Sequence, residues 1–360
     1  MGKRELGLIL GFIVAGVVIW QVTAPKAEGP GFSFGQWLSE ARREIGGRKA
    51  SADVTTTPSI PLDASINELR LTLSGDISIV GEDRADVAAE LRVTSNGFDD
   101  AEARKLASET GLKVSKFADS VVVAWQFPDP GRQQPTLKLR VPARLRVQID
   151  GRGNVDISGV AAVMLARPSG SVTLTSVAGI IKGESRAGEL SIDGAEALDL
   201  SAVGGESSVK NVRGDLRLTA RAGQVRIGKT AGRVTMTGTD TRIRVDGVEG
   251  PLRAEMVEGD LELRDVAASI EIDARATPVT IGWRRAADAK IQTRDGALEL
   301  VLPKDAATYS LDVRASGGEL RVPDSLRKTT EGGDTVVIKT GGANTQPIFV
   351  RGVAAPITIR

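Results

Sequence analysis

Between residues 153 and 282 apolar residues come in pairs two positions apart, and the pairs recur every nine residues. The segments SVTLTSVAG, ELSIDGAEA, DLRLTARAG, QVRIGKTAG, PLRAEMVEG and DLELRDVAA share the pattern. Each has apolar residues at its second and fourth positions, often another at its seventh, and a small residue last. The second and fourth positions share one face of an extended strand, so each unit reads as a short strand with one buried face. The predicted interior ladders are Val172 and Leu174, Leu190 and Ile192, Leu216 and Leu218, Val225 and Ile227, Leu261 and Leu263, and Ile270 and Ile272. Glycine keeps the same beat at Gly170, Gly179, Gly188, Gly205, Gly214, Gly223, Gly232, Gly250 and Gly259, where it is expected to supply corner conformations that other residues adopt at a cost. A nine-residue unit cannot bury its apolar face alone, so successive units must stack. The expected architecture is an all-β, parallel β-solenoid or β-helix-like repeat domain, with two or three units per coil. A sandwich or propeller would call for longer units with aromatic or Asn-Gly turn signals, and 153–282 contains no aromatic residue.

On either side the pattern loosens but stays β. Strands are predicted over 69–80, 87–93, 121–127 and 137–147, then over 297–302, 309–313, 319–322, 335–339 and 356–359. One helix is predicted over 98–110, opened near Asp99-Asp100 and stopped by Gly111. These pieces are expected to cover solenoid ends that would otherwise expose unpaired edges. The β-repeat domain is therefore assigned to 62–360, with irregular strands and a helix in 62–152, repeats in 153–282 and capping strands in 283–360. The run 51–61, SADVTTTPSIP, reads as linker by composition.

The amino terminus has a different period. Lys3 and Arg4 precede an apolar run over 6–24 that closes near Trp20. As a helix it spans roughly 28 Å, close to the hydrocarbon thickness of a bilayer. The basic start places the N-terminus inside and the bulk of the chain outside, periplasmic or at the cell surface, as a single-pass membrane protein. A cleaved signal ending at Val22-Thr23-Ala24 is the rival, but Pro25 is a poor residue after a cut. Residues 32–45 read as an amphipathic helix with Phe34, Trp37, Leu38, Ala41 and Ile45 on one face and Arg42 and Arg43 on the other. The segment 25–61 is thus a juxtamembrane amphipathic stretch and linker, in which 32–45 is either a second membrane contact or packed under the folded domain.

The chain contains no histidine and no cysteine. That removes Ser-His-Asp triads, cysteine nucleophiles, disulfides and His- or Cys-based zinc sites. The net charge of +1 gives no global field for nucleic acid, and no nucleic-acid partner or cofactor is expected. The run GQVRIGKT over 223–230 has the GxxxxGK[ST] spacing, but its glycines open no helix and it reads as part of the strand-and-turn repeat; no GGxGxD calcium turn is present. Carboxylates abound at Asp156, Asp193, Asp199, Glu206, Asp215, Asp246, Asp260, Glu262, Glu271 and Asp273, and paired carboxylates serve polysaccharide lyases and hydrolases. Read through the repeat, however, they occupy outward positions alternating with the core. No catalytic or metal-binding residue is assigned.

The segments LTLSGDISIVGEDRADVAAELRV, LKLRVPARLRVQIDGRGNVDISGV, ALELVLPKDAATYSLDVRASGGEL and GGANTQPIFVRGVAAPITIR resemble the putative-adhesin family of β-strand-repeat domains. The likeness runs over about 62–360 and implies a β-repeat fold with no catalytic residues to carry over. Surface chemistry is then the place to look. The third position of successive units gives Arg217, Arg226, Thr235, Arg244 and Arg253. With two units per coil, Arg226 and Arg244 stack on one face while Arg217 and Arg253 share the other, a possible surface for an anionic ligand. Neighbouring Asp215, Glu255 and Glu262 are the residues that would neutralise it. The expected function is a non-enzymatic, adhesin-like binding or scaffold module whose partner is an envelope polymer or a membrane protein. An envelope polysaccharide lyase or hydrolase, and a sensor or structural partner in a membrane complex, are the alternatives.

Overall fold

The computed structural model describes residues 50–128, 131–186, 188–303, 309–331, 335–340 and 345–360. The predicted anchor over 6–24 and helix over 32–45 lie outside these residues. Ser51–Arg360 forms one compact unit. No helix among the described residues is long and apolar enough to cross a membrane.

The unit opens with β1 (Ala50–Thr56), β2 (Ser59–Ile60), β3 (Glu68–Thr72), β4 (Asp76–Glu82) and β5 (Val87–Gly97). Helix α1 (Asp100–Glu109) follows, then β6 (Gly111–Lys116), β7 (Ser120–Gln126) and β8 (Gln133–Pro142). A regular array comes next. Its first coils are β9 (Arg146–Asp150) with β10 (Val155–Ser158), β11 (Ala162–Ala166) with β12 (Val172–Thr175), β13 (Ile180–Arg186) with β14 (Glu189–Ala195), and β15 (Ala197–Val203) with β16 (Glu206–Val212). The long strands β17 (Leu216–Thr230), β18 (Val234–Val248) and β19 (Leu252–Val266) each bend once and make a whole coil. β20 (Ile270–Arg275) with β21 (Val279–Trp283), and β22 (Ala289–Arg294) with β23 (Leu298–Val301), continue the array. The chain closes with β24 (Tyr309–Ser316), β25 (Leu320–Arg321), β26 (Thr329–Glu331), β27 (Thr335–Lys339), β28 (Gln346–Val353) and β29 (Ile357–Ile359).

Each coil gives one strand to each of two parallel ladders. Ladder A runs through β9, β11, β13, β15, the first halves of β17 to β19, β20 and β22. Ladder B runs through β10, β12, β14, β16, the second halves of β17 to β19, β21 and β23. Leu216 pairs with Val234 and Val234 with Leu252, so a coil takes two nine-residue units rather than three. All the predicted interior pairs, from Val172 and Leu174 to Ile270 and Ile272, are buried and belong to one continuous core that runs from Ile60 to Ile359. Each such aliphatic side chain is worth about 1.5–3 kcal/mol when fully buried, which stabilises a chain without disulfides.

The glycine beat has a cause different from the one expected. Corner residues with left-handed backbone are often not glycine: Ala222, Asp240, Glu258 and Ala276 hold φ of 47°, 50°, 62° and 47° on successive coils. Ser176, Asn211, Lys229 and Asp265 do the same at the opposite corner. Many of the periodic glycines instead mark where one coil approaches the next. A Cβ on Gly232 would lie 2.2 Å from the carbonyl oxygen of Gly214, and one on Gly250 would lie 2.1 Å from that of Gly232. The beat therefore reports coil-to-coil packing as much as turn conformation.

The ends depart from sequence order. The coil β3–β4 sits between β9–β10 on one side and β7–β8 on the other. At the far end β28–β29 sits between β22–β23 and β24–β25. Antiparallel strands then cover the terminal coils, with β6 on β7, β5 on β8 and β27 on β24. Two sequence expectations need correction. Residues 51–61 are not linker, because β1 and β2 pair with β5. Asp53 there accepts hydrogen bonds from Thr94 Oγ1 at 2.5 Å and Arg92 Nη2 at 3.1 Å, so a polar segment is fixed by side chains rather than by burial. Residues 346–353 form β28, outside the strands that the sequence pattern predicts. Its second residue is Pro347, tolerated near a strand start, and Ile348 and Val350 are its fully buried aliphatics.

Candidate functional site

The outer faces of the ladders carry the side chains able to meet a partner. Because the strands are parallel and in register, each outward position repeats along the stack at roughly 4.8 Å. The expected arginines lie as the repeat predicts. On ladder B, Arg226 is the register partner of Arg244, which in turn partners Glu262. On ladder A, Thr235 separates Arg217 from Arg253.

Carboxylates meet most of them. Arg226 is ion-paired with Glu206. Arg244 Nε lies 2.6 Å from Glu262 Oε2, and Arg264 also reaches Glu262. Burial pushes the Glu262 carboxyl up, but hydrogen bonds and charge from Arg244 and Arg264 outweigh it and hold it below the ordinary carboxylate value. Arg253 contacts Glu255 at 2.9 Å and Glu271 at 3.5 Å, and Glu271 also meets Lys290 at 3.3 Å. Hydrogen bonding to Glu255, with the charges of Glu271 and Glu255, keeps Arg253 more firmly protonated. Arg217 has no carboxylate partner among the described residues. Exposed pairs of this kind add little stability each, but they neutralise the lane they occupy. Glu255 and Glu262 thus act as the sequence suggested. Asp215 instead accepts from the backbone N–H of Arg233.

The remaining carboxylates alternate with the core as expected, exposed or half-exposed from Asp156 to Asp273. No cluster of three acidic residues able to hold a metal ion occurs among the described residues.

Sequence reasoning missed a second basic group on the last coils of ladder A. Arg275 partners Arg294 in register, Arg294 partners Val353, and Gln292 partners Arg351. All three arginines are exposed, and none meets a carboxylate among the described residues. They line a shallow groove of about 370 Å³ together with Asp273, Gln292, Thr293 and Val353. A second groove of about 640 Å³ on the same ladder is lined by Pro251, Lys290, Pro347 and Phe349 among others. Phe349 and Val353, on β28 with Arg351, are 50% and 46% exposed. The nine-residue beat hides this group because the step from Arg275 to Arg294 is one residue longer than a regular coil. Arg351 joins only because β28 inserts beside β22, which no local pattern signals.

Among solved structures, a putative adhesin from Parabacteroides distasonis has 13% identity and a TM-score of 0.42, covering 69% of this chain and 97% of its own. A putative adhesin from Parabacteroides merdae has the same identity and TM-score, covering 69% and 96%. A putative lipid binding protein from Parabacteroides distasonis has 10% identity and a TM-score of 0.36, covering 69% and 97%. Likenesses at this level carry no argument about function. No curated protein matches the sequence. The family model of Toastrack DUF4097 matches residues 51–351, nearly the whole stack of coils together with β1 and most of β28. On that match the chain belongs to the Toastrack DUF4097 family.

Proposed function

We propose that this protein is a non-enzymatic binding or scaffold module, held at the outer side of a cell membrane by its hydrophobic segment 6–24. The observation that carries the reading is the register of the outward positions. A stack that repeats the same exposed position coil after coil lets many weak contacts add along an extended partner. The rigid core that fixes this spacing offers a surface rather than a deep catalytic cleft. An envelope polymer or a membrane protein is the partner class, and Arg217, Arg226, Arg244 and Arg253 are its first proposed contacts. Their pairing with Glu206, Glu255, Glu262 and Glu271 means that a ligand must compete with internal carboxylates at three of the four.

The topology is tested with protease added to spheroplasts. The β domain should be digested while a tag at Met1 stays protected. An intact soluble pool, or a protected β domain, contradicts the proposal. The binding role is tested by capture from solubilised envelope with the full chain. A specific partner should be retained at low salt and lost as ionic strength screens the surface.

A further inference from the structure

We infer that the groove bounded by Arg275, Arg294 and Arg351 binds a phosphate group carried by an amphiphile, as in an anionic lipid headgroup. The inference rests on the binding-module reading above and places the contact elsewhere on the molecule.

Three features of the groove point the same way. First, its guanidiniums are unpaired among the described residues and lie together, whereas Arg226, Arg244 and Arg253 on the central coils are matched with glutamates. Leaving three cations unmatched within three neighbouring strands costs repulsion that an arriving dianion or row of monoanions relieves. Second, the geometry suits a tetrahedral oxyanion. Arg275 and Arg294 project from the same register position of adjacent strands, and Arg351 projects from the next strand, one outward position along. Planar guanidinium forks so arranged can each give two N–H donors to phosphate oxygens. Gln292 and Thr293 line the same groove.

The third feature distinguishes an amphiphile from a free anion. The register line through Arg275 and Arg294 continues Val203, Arg221, Thr239, Val257, Arg275, Arg294 and Val353. Val203, Val257 and Val353 are among the large apolar side chains left exposed, as is Phe349 on the same strand as Arg351. Arginine interleaved with exposed aliphatic and aromatic groups fits a ligand with a charged head and apolar flanks.

The opposing charges are identifiable. Asp273 lines the groove, and Asp240, Glu258 and Asp295 lie around the adjoining corner, none ion-paired with these arginines. Beyond Arg351, Arg314 is taken up by Asp312 at 3.5 Å and Glu331 at 3.8 Å. Among the residues that line the groove, three arginines face Asp273 alone, which leaves an excess of positive charge.

The absence of cysteine makes the test direct. The full chain carrying Val353→Cys is labelled with an environment-sensitive fluorophore and titrated with phosphatidylcholine vesicles with or without phosphatidylglycerol. A second label, at Thr173→Cys on ladder B, reports on the opposite face. The expected result is a blue shift at position 353 that needs phosphatidylglycerol and fades with salt. Binding should weaken about fivefold for each of Arg275, Arg294 and Arg351 exchanged for Gln. Ladder order in the variants is checked by circular dichroism.

A shift at position 353 that ignores phosphatidylglycerol, or survives the triple exchange, overturns the proposal. An equal response to inorganic pyrophosphate without lipid also overturns it, since the site then serves free phosphate. A response confined to position 173 overturns it while leaving a binding module that uses its other face. Failure to capture any envelope component, with the arginine-dependent shift retained, counts against the broader reading and not against this site.

Discussion

Leu218 and Arg217 are neighbours in β17 with opposite fates, the first 1% exposed in the core and the second on the outer face. Leu218→Asp places an unpaired carboxylate inside a ladder with no donor to meet it. It is expected to destabilise the unit by more than about 4 kcal/mol, while Arg217→Asp stays within about 0.5 kcal/mol. Chemical denaturation of both variants decides this, and equal costs would show the alternation to be wrong. Gly232 tests coil contact separately from turn strain. A Cβ there meets backbone rather than a movable side chain, whereas one on Gly111 meets nothing within 4 Å. Gly232→Ala is expected to cost about 1–3 kcal/mol, with Gly111→Ala as the near-neutral control in the same measurement.

At the scale of elements, β1 shows how a polar strand is held. Asp53 is exposed, and hydrogen bonds from Thr94 and then Arg92 hold its carboxyl below the ordinary value. A depressed carboxylate stabilises the fold above its unfolded pKa of about 4, and that stabilisation is lost as pH falls through the lower folded value. Acidification below about pH 4 should therefore release β1 from β5 before the ladders open. Hydrogen exchange resolved by segment reads this, and Asp53→Asn should loosen β1 already at neutral pH. Release of β1 at the same pH as β17 to β19 would mean that Asp53 is not its clasp. Helix α1 is held by more familiar means. Asp99 accepts from the backbone N–H of Glu102 at 2.8 Å, and Leu106 and Ala107 are buried on its inner side. That is why the helix, unlike β1, was readable from its residues.

The whole molecule has an order that its parts do not announce. Both terminal coils are separated from the array by a coil from elsewhere in the chain, β3–β4 at one end and β28–β29 at the other. The last residues of the chain are therefore interior to the stack. Deleting 345–360 removes the strands on which β24 and β25 rest. The expectation is that amides of β24, β25 and β27 lose protection against exchange together, while β9 to β21 keep theirs. Persistent protection of β24 would show that it docks on β22 directly. Ends locked in this way also leave the antiparallel strands β5, β6 and β27 as covers, in keeping with the need to shield ladder edges from further pairing.

The sequence by itself determined the repeating unit and its stacking, since a strand must turn a face inward every second residue and a nine-residue unit must stack to hide it. Val172 to Ile272 needed no more than that alternation, while Arg226 and Arg244 fall into register because the packed coil takes two units rather than three. The tertiary structure alone decided which coil lies beside which at the ends, because pairing between strands distant in sequence is set by edge satisfaction and not by local pattern. It also decided the role of each glycine, because the approach of one coil to the next is invisible in either coil alone. The same reason governs the charges. Alternation says that Arg253 and Arg275 both point outward, but only the packed neighbours show that the first is answered by Glu255 and Glu271. Arg275 is left beside Arg294 and Arg351, since the strand that brings Arg351 arrives from the far end of the chain.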